Sequence, residues 1–288
     1  MTLGILSTLS FLCLAAAASP ASFLEKPDGW FRTPEGKETT ARVLSWQSAH
    51  GSWPKNKDTT RQEFTGDHRK IKGTFDNKAT TDELRYLARA YQATGNDRCK
   101  EAVLLGIDHI LEAQYPNGGW PQYFPLSKQY HRHITFNDGC MIRLMEFLRE
   151  VANSDDFKFV DSRRRRAAAK AVDRGVECIV KCQVIVDGTP TVWCAQHDEV
   201  TLAPAKARAY ELASLSGSES AGILRFLMSL ERPSREVVRA VNAGVKWFED
   251  SKLEDIRVEK IDGDRKVIKD ASAPPLWARF YEIETNRP

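Results

Sequence analysis

The sequence predicts an all-α fold, an α/α toroid built of helical hairpins with short strands confined to loops. Three observations predict it. Apolar residues recur at helical spacing through most of the chain. A glutamine followed six residues later by Trp-Pro occurs twice, as Gln47 before Trp53-Pro54 and Gln114 before Trp120-Pro121, and Gln183 with Trp193 echoes it across a longer turn. These units recur about every 67 to 70 residues, room for two helices and two connections. Few β-branched runs separate the helical stretches, which argues against parallel βαβ units.

Taken in order, residues 38–50 have helical spacing and lead into Gly51-Ser52-Trp53-Pro54. A polar, charge-rich loop follows over residues 55–72. Thr80-Thr81-Asp82-Glu83 has the form of a capping box, opening a helix with Leu84, Leu87, Ala88 and Tyr91 on its apolar face and Gly95-Asn96 at its end. The next helix, with Val103, Leu104, Ile107 and Leu111 as its stripe, stops at Pro116-Asn117-Gly118-Gly119. Further helices are predicted over residues 136–153, 162–182, 217–230 and 234–251. Only residues 184–191 and 256–268 look strand- or hairpin-like, turning at Asp187-Gly188 and Asp262-Gly263.

Composition bounds the function. The 288-residue chain can bury a sizeable core. Its 42 Lys+Arg against 39 Asp+Glu are too evenly balanced for a nucleic-acid surface. Arg163–Arg166, the one concentrated basic run, reads as a solvated helix face. Residues 1–22 read as a secretory signal, with an apolar run, Pro20 as breaker and small residues for cleavage, although no Lys or Arg precedes the run. No later stretch is apolar enough to span a membrane. A secreted or periplasmic protein is expected, a monomer with a domain over residues 23–288 and no nucleic-acid or membrane partner. The cysteines beyond the leader are odd in number and lack framework or zinc spacing, so buried apolar roles are expected.

The chemistry concentrates in residues 191–219, which bring Trp193, Gln196, His197, Asp198, Glu199, Lys206, Arg208 and Glu211 together without helical or strand sorting. Pro204 predicts a helix start there, placing Lys206 and Arg208 in its first turns. Cations at a helix N-terminus oppose the macrodipole, so an anionic ligand opposite them would be favourable. Asp76-Asn77 and Asn137-Asp138 are oxygen-rich pairs near helix starts. They suit a hard cation such as Ca²⁺, and equally suit plain helix capping. Trp120, Tyr123, Trp193 and Trp277 fall in turns, where they would either hold sugar rings or plug the toroid.

Five segments taken together resemble the family 10 pectate lyases: TFDNKATTDELRYLARAY, NGGWPQYFPL, HITFNDGCMIRLMEFLREV, WCAQHDEVTLAPAKARAYELASLSGSES and PPLWARFYEIETNRP. The resemblance covers essentially everything after Leu44. It implies an α/α toroid and Ca²⁺-dependent β-eliminative cleavage of polygalacturonate. Carried over, it makes Asp76 and Asp138 acidic calcium and substrate positions, with Asn77 beside them. Arg208 becomes the base that removes the C5 proton and Arg279 a clamp on a uronate carboxylate, while Lys206 and Trp193 are expected to face the substrate. His197 and Asp198 take supporting roles. Family members continue past the Asn-Arg-Pro that ends this sequence, with further substrate-contacting residues, so a truncation or a lost terminal loop is the expectation here. The physical logic is consistent, because cations on the adjacent carboxylate stabilise the charge that develops on proton removal. An arginine base must nevertheless lose a proton that guanidinium ordinarily keeps. Two other readings stand beside this one: an inverting glycoside hydrolase using Asp138 and Asp198, and a non-catalytic polyuronate-binding protein.

Overall fold

The computed structural model describes residues 19–288, so most of the expected leader lies outside the described residues. Eight α-helices occur among those residues: α1 (Asp28–Arg32), α2 (Pro34–Ser45), α3 (Thr81–Thr94), α4 (Asp97–Glu112), α5 (Cys140–Asn153), α6 (Ser162–Cys182), α7 (Gly217–Met228) and α8 (Arg235–Asp250). Local chemistry sets their ends. Thr80 and Glu83 form the predicted capping box on α3, and Gly95 closes that helix at φ 69°. Asp161 and Ser234 cap α6 and α8 through their side chains. The strands are short and antiparallel: β1 (Ile134–Thr135) with β4 (Gln196–His197), β2 (Ile185–Val186) with β3 (Thr189–Pro190), and β5 (Leu215–Ser216) with β8 (Phe280–Tyr281). The longest pair, β6 (Ile256–Ile261) and β7 (Asp264–Lys269), is the predicted hairpin.

Consecutive helices pair as α3–α4, α5–α6 and α7–α8. The odd-numbered members pack side by side in one layer and the even-numbered members in another. This is an open helical toroid. No helix among the described residues is long and apolar enough to cross a membrane.

The recurring Gln and Trp residues are what tie the layers together. Each glutamine amide, sitting just beyond α2, α4 or α6, donates to its own turn and to the next even-numbered helix. Gln47 Nε2 reaches Gly51 O (3.3 Å) and Ala102 O (2.9 Å), Gln114 Nε2 reaches Gly118 O and Ala171 O, and Gln183 Nε2 reaches Thr191 O and Ala240 O. Each indole N–H returns to the helix before it, from Trp53 to Val43 O, Trp120 to Ile110 O and Trp193 to Ile179 O. All three indoles have no solvent exposure. Trp193 is therefore a core residue, which corrects its expected contact with substrate: a side chain without surface cannot touch a polymer. The five cysteines among the described residues are buried and unbridged, as expected.

Candidate active site

Two turns of like sequence hold the acidic pairs. Thr74-Phe75-Asp76-Asn77 precedes α3 and Thr135-Phe136-Asn137-Asp138 precedes α5. In each, the third residue is buried and the fourth is exposed in the left-handed region, Asn77 at φ 51° and Asp138 at φ 52°. Asn and Asp tolerate that region better than other side chains, which explains the residue types. The turns lie within 8 Å of each other, measured between Cα atoms. Neither aspartate caps a helix. Thr80 caps α3, and the N-cap of α5 is Gly139 with no side-chain bond.

Asp76 is 2% exposed. Its Oδ2 accepts from Lys55 Nζ at 2.5 Å and from Gln122 Nε2 at 2.7 Å. Burial opposes the Lys55 charge, but the hydrogen bond and charge of Asp76 outweigh it and raise the ammonium pKa. Asp76 Oδ1 and Gln122 Oε1 are buried with no donor among the described residues. Asp138 lies toward solvent, its Oδ2 accepting from Asn137 Nδ2 at 2.7 Å. The other face of Asn137 accepts from Arg279 Nη2 at 2.9 Å. Glu219, at the start of α7, accepts from the Asp138 amide at 3.4 Å and lies 3.7 Å from Arg279 Nη2. Cys140, whose thiol is pushed up by burial, feels the charges of Asp76 and Asp138 together, which places both at the head of α5.

Lys206 and Arg208 lie in an extended loop over residues 198–214, and the helix predicted after Pro204 does not form. Ala205 N donates to Gln196 O at 3.0 Å, and Ala207 N to Glu211 O at 2.9 Å, so local pairing replaces the helical ladder. His197 is the pin of this loop. It is fully buried, its Nδ1 bonds Leu202 O at 2.9 Å, and Cys194 N donates to its Nε2 at 3.1 Å. Burial holds its pKa down to about 4, so the ring stays neutral. Asp198 accepts from the amides of Val200 and Thr201. Tyr130 and Asp138 both act on the charge of Arg208, which sets this loop near the Asp138 turn. Arg208 is bound to Glu211 at two points, and that hydrogen bond, with the Glu211 charge, holds its pKa above the usual guanidinium range. Arg279 also acts on Glu211. Lys206 is exposed and forms no ion pair among the described residues.

The Asp76 and Asp138 turns thus adjoin, Arg279 joins them through Asn137, and the Asp138 charge acts on Arg208. Asn77 and Asp138 border a cleft of about 580 Å³ with Arg143 and Glu219. Sequence reasoning missed Lys55, Gln122 and Glu219, and named Glu211 without its pairing to Arg208. A signal existed for two of them: Lys55 and Gln122 each follow a repeated Trp-Pro, and both reach Asp76. The tightest cluster of His, Asp and Glu donors among the described residues is elsewhere, at His133, Asp198 and Glu199. There Glu199 is already engaged by Arg132 and by His133 at 3.0 Å, and Asp198 by its backbone amides.

The open helical toroid with its acidic turns is that of a polysaccharide lyase, as the comparisons with known proteins show. The chain belongs to the pectic acid lyase family, whose profile matches residues 47–288. It is similar to the family 10 polysaccharide lyase from Cellvibrio cellulosa, with 36% identity, a TM-score of 0.80, and coverage of 90% of this chain and 83% of that one. A mutant of the Cellvibrio cellulosa family 10 enzyme in complex with trigalacturonic acid is similar at 34% identity, with a TM-score of 0.81, covering 93% of this chain and 82% of that chain. No match is found among curated proteins.

Proposed function

We propose that this lyase cleaves polygalacturonate by Ca²⁺-dependent β-elimination, with Arg208 taking the C5 proton. The observation that supports it is the adjacency of the Asp76 and Asp138 turns, with Arg279 on Asn137, the Asp138 charge acting on Arg208, and buried oxygens at Asp76 and Gln122 that lack donors. Two such oxygens, Asp76 Oδ1 and Gln122 Oε1, fit a hard divalent cation, and Asp138 and Asn77 add exposed oxygen donors beside them. When bound, Ca²⁺ would withdraw charge from the uronate carboxylate and acidify the neighbouring carbon. Arg279, held by Asn137 and near Glu219, orients a second carboxylate. Lys206 adds positive charge at the loop that borders the polyanion. Arg208 must part from Glu211, to which it donates in this conformation, and give up a proton to solvent before it can accept the C5 proton. The elimination then moves the C5–H electron pair into a C4–C5 double bond as the glycosidic oxygen leaves.

Asp198 does not suit the general-acid part of the hydrolase reading. A general acid needs a raised pKa, whereas the backbone amides of Thr201 and Val200 lower that of Asp198. Incubation with polygalacturonate at alkaline pH, with and without chelator, tests the proposal. Ultraviolet absorbance from an unsaturated product is expected, and it should vanish with chelator and return with Ca²⁺. Binding without product would leave only a polyuronate-binding protein. The expected leader makes export to the medium or periplasm part of the same proposal.

A further inference from the structure

A second cavity, also of about 580 Å³, is lined by Gly73, the residue just before the turn that carries Asp76. Arg69, Lys72 and Lys128 stand on its rim and no Asp or Glu lines it. Arg69 is paired with Asp67 at 3.0 Å. Lys72 and Lys128 are exposed and have no carboxylate partner among the described residues. Its wall is shared with the Asp76 centre. Tyr123 and His131 line the cavity, Tyr123 acts on the Lys55 charge, and His131 feels both Lys55 and Asp76. The backbone continues this link, with Phe75 N donating to Gln122 O and Gln122 N to His131 O. Behind the lining residues His50 and Phe124 lies His109, 4% exposed, whose Nε2 has no partner. Burial and the His50 charge lower its pKa to about 4, so its ring is neutral.

We propose that this cavity is an outer subsite for the same polyuronate chain, binding an anionic sugar unit beyond those at the Asp76 centre. The inference rests on the polyuronate reading above and extends it to chain length. Two lysines without a carboxylate partner and no acidic lining residue favour an anion, and aromatic and imidazole surfaces offer flat faces to a sugar ring. Its continuity with the Asp76 turn makes an extended chain the fitting occupant. Lys72 and Lys128 bring the charge and Tyr123 the shared wall.

The test is calorimetric binding of a galacturonate trimer and hexamer to the full chain in chelator, for the unmodified protein and for Lys72→Gln/Lys128→Gln. The unmodified protein should bind the hexamer more tightly than the trimer. The double variant should weaken hexamer binding by about fivefold, as two partly exposed charge contacts would, and leave the trimer unchanged. Equal loss for both oligomers, or no loss for the hexamer, overturns the subsite. Elimination is read separately from product absorbance on polygalacturonate. Absent product with a length-dependent binding difference would sink the lyase chemistry proposed above and keep the subsite. Product with no length dependence would do the reverse.

Discussion

Arg208 and Glu211 face each other within one loop, with Arg208 Nε 2.7 Å from Glu211 Oε2 and its Nη2 on Glu211 Oε1. The carboxylate raises the guanidinium pKa while the arginine lowers that of Glu211, so each stabilises the charged form of the other. On the proposed role of Arg208 the base must exist deprotonated, so this pair would set how alkaline the medium must be. Replacing Glu211 with Gln removes the raising charge and should move the rising limb of the pH–rate profile to lower pH. A limb that stays in place would detach Arg208 from the proton transfer.

Arg208→Ala should lower kcat by about 10²–10⁴-fold, the contribution general-base catalysis ordinarily makes, with the fold intact because the side chain is exposed. Initial rates and a thermal melt on the same preparation check both halves of this expectation.

Asp138→Asn keeps a residue type that accepts φ 52° and removes the charge. The Ca²⁺ concentration giving half-maximal rate should rise by about tenfold or more, the loss expected from a missing charged ligand contact. A titration curve that overlays the unmodified one would return Asp138 to a purely structural part.

Trp193→Phe tests the corrected placement. Removing the indole N–H leaves the buried Ile179 carbonyl without its donor, at a cost of about 1–3 kcal/mol. Denaturant unfolding should show that loss while KM for polygalacturonate stays the same. A raised KM with unchanged stability would restore the substrate-facing role.

Glu83 gives stability a pH signature. Its pKa is raised to about 8 by burial, above its value in the unfolded chain. The folded state then holds a proton that the unfolded state releases between pH ~4.5 and ~8, so this residue's contribution falls as pH rises across that window. Glu83→Gln keeps a capping partner for Thr80 and should flatten the decline between those pH values, measured by urea unfolding.

The helices were legible because their signals are local: the Thr80–Glu83 capping box, Gly95, and Ser234 before α8 all act where they stand in the chain. The acidic pairs were legible for the same reason, as polar turns ahead of helices. What failed was context. Trp193 looked like a turn aromatic, although the repeat that placed it with Trp53 and Trp120 already pointed to a common buried role. Pro204 carried a helix-start signal, but the backbone from Ala205 to Ala207 pairs with Gln196 and Glu211 instead. Lys55 and Gln122 follow Trp-Pro in two units and meet only because the units stack side by side, a fact of closure rather than of neighbouring residues.

The three glutamine amides act as stitches between neighbouring hairpins. Each spends its two hydrogens on carbonyls of two successive units, one in its own turn and one in the even-numbered helix that follows. The same side chain makes the same two bonds at every junction, so the spacing of the hairpins is held from within while the loops between the stitches keep room to diversify.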